Sequence, residues 1–148
     1  MIRVSEQDFV VADEYQALIN DNASDGAVVF FVGLVRDFNQ GNNVSELYLE
    51  HYPAMTQKVL CEIVEQSKRR WNLGRVRVYH RVGHLSINDQ IVFVGVSSRH
   101  RDDSFRAAQY IMDFLKTEAP FWKKETVNKN ISRWVESEIK DYSARDSW

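Results

Sequence analysis

Basic side chains recur in this sequence at the positions where predicted secondary-structure elements end. Arg36 follows one apolar stretch, and His100 and Arg101 follow another, just before a predicted helix. Strand ends and helix N-termini are places where backbone N–H groups and cations gather around anions. Lys116 lies in the last turn of that helix, and Lys123 and Lys124 lie just past Pro120. Together these basic residues suit a phosphate and an anionic carboxylate or thiocarboxylate. Spacing alone leaves open the alternative that they are ordinary solvated surface charges.

Lys116 and Lys123 form a second candidate group, with Ala119-Pro120 between them. Because Pro120 ends the helix and turns the chain, both ammonium groups are expected to reach one pocket, with Phe121 and Trp122 excluding water from it. Desolvation and a neighbouring like charge favour a neutral amine, which can act as a base or a nucleophile. The alternative is that Lys116 complements the helix dipole and Lys123 is solvated on a strand.

Other kinds of catalytic site find little support in the sequence. His80 and His84 are predicted on a strand and a turn, where they do not share a face as a helical metal-binding pair would. No glycine-rich phosphate loop and no serine nucleophile elbow occurs. The single cysteine, Cys61, excludes an internal disulfide and cysteine-rich metal sites, and it is expected to be a packing residue.

The composition is that of an ordinary globular domain. The chain has 148 residues, 44% of them hydrophobic, and a net charge of -2. This balance does not favour nucleic-acid binding. No apolar run approaches the ~20 residues of a membrane span, and the N-terminus lacks the features of a signal peptide. We therefore expect a cytoplasmic protein.

The first half of the chain predicts two helices and two strands. A short helix is expected near 13–20, and the apolar stretch 27–35 reads as a central buried strand. A polar loop at 37–43 leads to a second strand at 44–52, with Leu47 and Leu49 on one face. Pro53 opens a helix, which Asn72-Leu73-Gly74 ends. Residues spaced four apart predict its inner face: Met55, Val59, Ile63, Ser67 and Trp71.

The second half continues with strands on either side of a helix. Alternation over 76–82 and the apolar run 91–96 predict two strands, with a turn at Asn88-Asp89. Asp102 or Asp103 is expected to cap a helix that runs to Glu118. Residues 121–126 and 131–135 read as a hairpin, and 140–148 as a frayed tail. The predicted inner face of the helix is Phe105, Ala108, Met112 and Leu115.

This order of elements predicts an α+β or α/β sandwich with helices on a largely antiparallel sheet. Residues 1–148 are expected to form one domain.

Several stretches together resemble the large, catalytic subunit family of molybdopterin synthase. The resemblance runs from about Asp25 to Trp134, and the last stretch is long and specific. The stretches are 25–29 with 33–36, 49–56, 69–76, 80–83, 92–96 with His100-Arg101, and Asp113-Phe114-Leu115-Lys116-Thr117-Glu118-Ala119-Pro120-Phe121-Trp122-Lys123-Lys124-Glu125.

The resemblance implies an α/β hammerhead-like domain with a small antiparallel β subdomain inserted in it. It also implies a homodimer with a small ubiquitin-like carrier docked at each end, as a heterotetramer. The carrier ends in Gly-Gly with a terminal thiocarboxylate, and its sulfur is transferred to cyclic pyranopterin monophosphate to form the dithiolene of molybdopterin. The resemblance implies no cofactor and no metal for this step.

The resemblance also assigns roles to residues. Arg36, His100 and Arg101 would bind the substrate phosphate and hold the pterin. Lys123 would orient the substrate, and Lys116 would transfer a proton or bond transiently at the reacting carbon. Family members often carry a basic residue at the position of Leu34, so a contact there would come from its backbone. The substrate-binding residues are thus expected to be Leu34, Val35, Arg36, His100, Arg101, Lys116, Lys123, Lys124 and Glu125.

Two other classes of function remain open from the sequence. The chain could be a non-catalytic scaffold that binds a ubiquitin-like Gly-Gly tail, although the presence of Lys116 and Lys123 favours catalysis. It could also be a phosphate-ester enzyme with a basic pocket, but the sequence offers no metal-ligand cluster and no plausible nucleophile for one.

Overall fold

The computed structural model describes residues 1–36, 38–39, 42–43, 46–128, 131–135 and 139–148, and the side chains of 1–36, 46–121 and 139–148. Its elements, in chain order, are β1 (Ile2–Ser5), α1 (Val11–Ile19), β2 (Ala27–Leu34), β3 (Phe38–Asn39), β4 (Asn42–Asn43), β5 (Glu46–His51), α2 (Pro53–Arg70), β6 (Leu73–Arg81), β7 (Gly83–Ser86), β8 (Gln90–Ser98), α3 (Arg101–Glu118), β9 (Phe121–Asn128), β10 (Ile131–Val135) and α4 (Ile139–Asp146).

The first sheet has the strand order β1-β6-β8-β2, with β1 parallel to β6 and the other pairs antiparallel. Its β-branched residues, such as Val78, Val94 and Val96, are fully buried against α2 and α3 in the main hydrophobic core. A second cluster around Leu18 and Phe93 packs α1 on the opposite face. The expected α+β fold with a largely antiparallel sheet is confirmed.

The prediction that 27–35 forms a central strand is wrong. Among the described strands β2 pairs with β8 alone, so it lies at the edge of the sheet. Phe30, Phe31 and Leu34 are 42%, 45% and 51% exposed. A run that is apolar on both faces has the pattern of a buried strand. Periodicity alone does not distinguish an apolar edge strand from a central strand of the sheet.

The second sheet has the order β10-β9-β5-β7, and all of its pairs are antiparallel. It confirms the predicted hairpin of β9 and β10 and the inward face of Leu47 and Leu49. Only Val82 separates β6 of the first sheet from β7 of the second, and Gly83 at φ +82° makes the bend. The chain therefore passes directly from one sheet to the other at this point.

Both long helices begin and end close to their predicted positions, but parts of their predicted inner faces are wrong. Met55 and Phe105 are 58% and 61% exposed. The inner face of α2 is formed by Thr56, Leu60, Ile63, Val64 and Ser67. The N-cap of α3 is His100 rather than an aspartate, and Asp102 instead pairs with Arg106 on the next turn at 3.2 Å.

The C-terminal segment is ordered, contrary to the predicted frayed tail. Helix α4 packs against α3, and the indole N–H of Trp148 donates to Asp113 Oδ2 at 2.7 Å. The Trp148 ring lies 5.6 Å from the rings of both Trp71 and Tyr110. Arg145 is bound by Asp146 and Glu118, and these hydrogen bonds raise the pKa of its guanidinium. Local propensity did not reveal this helix because tertiary contacts anchor it.

No helix among the described residues is long and apolar enough to cross a membrane.

Replacing Trp148 with Ala should release α4 from α3. Because the side chain is only partly buried, the expected loss is about 2 kcal/mol, below the cost of a fully buried Trp→Ala change. Hydrogen–deuterium exchange over 139–146 should accelerate, while exchange in β8 should stay slow. Ile139→Ala is the control, since Ile139 is 85% exposed on the same helix. Unchanged protection of α4 in Trp148→Ala would contradict the anchoring role.

Candidate functional site

The candidate cations lie at two separate places on the first sheet. Arg36 follows the C-terminal end of β2, whereas His100 and Arg101 follow the C-terminal end of β8. The two strands are antiparallel, with Ala27 opposite Ser98 and Leu34 opposite Gln90. The C-terminal ends of β2 and β8 are therefore at opposite ends of the sheet.

The separation is large compared with a phosphate group. Strand β2 has eight residues, so at about 3.3 Å per residue Arg36 and His100 are on the order of 25 Å apart. A phosphate spans a few ångströms and cannot contact both. Within one chain the structure thus keeps Arg36 apart from His100 and Arg101, contrary to the expectation of one cluster.

Lys116 lies at the same end of the sheet as Arg36. Helix α3 starts beside the end of β8 and, with 18 residues, extends about 27 Å. Phe121 follows this helix and stacks on His80, which is paired with Val92 near the start of β8.

We call Leu34–Arg36, Lys116 and Lys123–Glu125 the lysine end, and His100 with Arg101 the histidine–arginine corner.

The ammonium of Lys116 has a carboxylate partner within the chain. Its Nζ lies 3.3 Å from Oδ1 of Asp141 on α4, and 41% of the Lys116 side chain is exposed. The Asp141 side chain is 13% exposed. The expected enclosure of Lys116 away from water is not met, because its side chain is partly exposed and faces this carboxylate. The space beside the Lys116 ammonium can therefore hold a carboxylate.

Lys123, Lys124 and Glu125 lie on β9, where their backbones pair with Leu49, Tyr48 and Leu47 of β5. Their side chains are outside the described part of the chain, so the predicted contacts of these three residues with substrate stay predictions.

Leu34 and Val35 differ in what they present to a ligand. The Leu34 side chain is 51% exposed, whereas that of Val35 is 3% exposed in the cluster with Leu49. The Val35 backbone N–H donates to Asp89, and its carbonyl accepts from Asn88. Val35 therefore holds the end of β2 against the second sheet, which fixes where Arg36 begins.

The histidine–arginine corner combines two exposed basic side chains with a helix N-terminus. His100 caps α3 without a side-chain hydrogen bond, and Arg101 is its first residue. The hydroxyls of Ser98 on β8 and Ser104 on α3 form a buried hydrogen bond, which ties the start of the helix to the end of the strand. The backbone N–H groups of the first helical turn, the helix dipole and the Arg101 guanidinium make this corner suited to an anion.

Sequence reasoning missed Asp141. Its residue type and spacing do not distinguish it from the other surface carboxylates, and its role depends on the docking of α4. The described residues contain no group of three or more histidine, cysteine or acidic side chains placed to hold a metal ion.

Comparison with known proteins gives consistent matches. Residues 4–118 match the family model described as "MoaE protein". The molybdopterin synthase catalytic subunit of Vibrio cholerae is 53% identical over 147 residues, covering 99% of this chain and 97% of the relative. The molybdopterin biosynthesis MoaE protein of Burkholderia ambifaria superposes with a TM-score of 0.85 at 44% identity, over 100% of this chain and 97% of that chain.

A more distant likeness shows the fold alone. A chain in a protein–protein complex of subunits 1 and 2 of the Helicobacter pylori molybdopterin-converting factor has a TM-score of 0.74 at 16% identity, covering 94% of this chain and 91% of that chain.

Replacing Asp141 with Asn should make the Lys116 amine more reactive, because the neutral amide no longer forms the ion pair that holds it. An ion pair with one partly exposed partner contributes about 0.2–1 kcal/mol, so we expect a roughly 1.5- to 5-fold faster acetylation of Lys116. Competitive labelling with acetic anhydride and peptide mass mapping measures this rate. Asp146→Asn is the control, since Asp146 pairs with Arg145. Equal rates in both variants would contradict the pairing.

Proposed function

This chain belongs to the MoaE protein family, and on that basis we propose that it is the catalytic subunit of a molybdopterin synthase. It transfers sulfur from the C-terminal thiocarboxylate of a small ubiquitin-like carrier subunit to cyclic pyranopterin monophosphate, which forms the dithiolene of molybdopterin. In this proposal it is a sulfurtransferase of the cytoplasm.

The observation that carries the proposal is the Asp141 carboxylate 3.3 Å from the Lys116 ammonium. A thiocarboxylate has the same charge and nearly the same shape as a carboxylate. The carrier's terminus would take the place of Asp141 and bring its sulfur beside Lys116. A Gly-Gly end suits this entry, because glycine lets a backbone pass through a narrow channel without a Cβ clash.

Lys116 then serves the chemical step. The thiocarboxylate sulfur forms the new bond to the pterin side-chain carbon, and the oxygen that this carbon carried leaves as water. A second water then attacks the carrier's acyl carbon and breaks its bond to sulfur, so the carrier leaves as a carboxylate and the sulfur stays on the pterin as a thiol. Lys116 transfers the proton that moves at the reacting carbon, or bonds to that carbon transiently. Lys123 orients the substrate from β9. The cations beside the leaving carboxylate stabilise the negative charge that develops there.

A second copy of the chain would complete the site. The pterin phosphate needs Arg36, His100 and Arg101 together, and one chain keeps them on the order of 25 Å apart. In a two-fold symmetric dimer, a contact from residue i of one copy to residue j of the other is repeated from j to i. The histidine–arginine corner of each copy can therefore face the lysine end of the other copy. We propose that this homodimer, with one carrier at each lysine end, forms a heterotetramer.

Lys116→Ala should abolish sulfur transfer while leaving the fold intact. General acid–base catalysis contributes typically 10²–10⁴-fold, so turnover should fall by at least about a hundredfold. The assay supplies thiocarboxylated carrier and pterin precursor and measures the dithiolene product. Lys58→Ala, on the exposed face of α2, is the control. Wild-type turnover in Lys116→Ala would remove Lys116 from the mechanism, and a wild-type chain that binds carrier without turnover would favour the scaffold alternative.

Arg101→Ala should weaken precursor binding and leave carrier binding unchanged, because we assign Arg101 to the phosphate. Loss of a charged hydrogen bond costs about 1.5–3 kcal/mol, which is roughly 10- to 100-fold in affinity. Calorimetry with each ligand separately measures both affinities. Arg106→Ala, one turn further along α3, is the matched control. If carrier affinity falls and precursor affinity does not, the assignment is wrong.

A further inference from the structure

His80 and Phe121 form a parallel ring stack beside the lysine end. Their ring centroids are 3.9 Å apart with an interplanar angle of 14°. His80 lies on β6, is 6% exposed, and its backbone is held between Val4 of β1 and Val92 of β8. Phe121 is the first residue of β9 and lies opposite His51 of β5. The stack joins a strand of the first sheet to a strand of the second.

This contact lies where the two hydrophobic cores meet. The Phe121 ring packs against both the main core and the cluster of Leu49, Val82 and Leu85. The chain also crosses between the sheets here, since β6 leads through Val82 into β7. The position of Phe121 therefore determines how the start of β9 sits on the first sheet.

The two lysines of the proposed reaction lie on different sides of the His80–Phe121 contact between the sheets. Lys116 is on α3, which packs on β8 and β2 of the first sheet. Lys123 is on β9 of the second sheet, two residues after Phe121. The spacing between the two backbones thus depends on how the sheets are held together, and the His80–Phe121 stack is a ring contact that joins them.

We propose that His80 is a positioning residue for sulfur transfer: its ring sets the start of β9, and through it the placement of Lys123 relative to Lys116. This inference rests on the proposed function, in which both lysines act on one substrate. Misplacement of a reacting group by about 1 Å can cost roughly a hundredfold in rate. A modest shift of Phe121 would therefore affect catalysis more than stability.

The hydrogen bond of His80 explains why a histidine suits this buried position. Its Nδ1 lies 2.8 Å from the carbonyl oxygen of Arg81. A carbonyl can only accept, so Nδ1 carries the hydrogen and donates. This bond fixes the rotation of the imidazole and presents its flat face to Phe121. An aliphatic side chain fills the same space without presenting a flat face.

Two replacements of similar size separate ring geometry from packing. His80→Leu keeps apolar bulk and loses the flat ring, whereas His80→Phe keeps a flat ring. Replacements that conserve volume are tolerated best in cores, and thermal melting verifies that both variants fold. We expect kcat to fall by roughly 10- to 100-fold in His80→Leu, with an unchanged KM for the carrier. His80→Phe should restore part of this loss, because it keeps the flat ring but cannot donate the hydrogen bond to Arg81. Phe121→Leu, which removes the other ring, should reproduce the loss.

A second readout does not depend on turnover. A short aryl difluoride that joins two amines should link Lys116 to Lys123 in the wild type, and peptide mapping measures the yield. The yield should fall in His80→Leu and recover in His80→Phe. His84→Ala is the control, because His84 is an exposed imidazole on β7 that contacts Tyr48.

The outcomes separate the two proposals. Equal kcat and equal cross-link yield in the Leu and Phe variants overturn the positioning role, as does a loss of kcat with an unchanged cross-link. A wild-type chain without sulfur transfer contradicts the proposed function, while the dependence of the cross-link on the ring at position 80 still reports on the positioning role.

Discussion

The antiparallel pairing of β2 with β8 is the constraint on which the site depends. It sends the two strands in opposite directions, so the basic residues that follow them emerge at opposite ends of the sheet. Helix α3 runs back along the sheet from His100 and carries Lys116 to the end where Arg36 lies. A chain built in this way divides the proposed substrate-binding residues between two places, and neither place has all the basic residues that we assign to the phosphate.

The lysine end is in turn assembled from separate parts of the chain. Val35 fixes the end of β2 against the second sheet, Phe121 joins the two cores, and α4 brings Asp141 to Lys116. None of these contacts is local in sequence. The site is therefore a product of tertiary packing, in which Lys116 is paired with Asp141 of the same chain.

Local patterns predicted the elements but not their arrangement. The apolar run of β8, the stop at Pro120 and the hairpin of β9 and β10 follow from composition and periodicity. The edge position of β2 does not, because Phe30 and Phe31 are apolar yet exposed. The basic residue types predicted anion binding. Their division between the two ends of the first sheet, however, depends on the opposite directions of β2 and β8. Asp141 was missed because a docked helix, rather than a motif, gives it its role.

Whether each site is shared between two copies can be determined by mixing two impaired chains, with the precursor at a concentration too low to saturate Arg101→Ala. Lys116→Ala and Arg101→Ala chains with different affinity tags are co-expressed, and dimers carrying both tags are isolated. A shared site leaves one of the two sites of each mixed dimer intact, so about half of the wild-type turnover should return. If the mixed dimer is no more active than the Lys116→Ala and Arg101→Ala homodimers, each chain forms its site alone and the site is not shared.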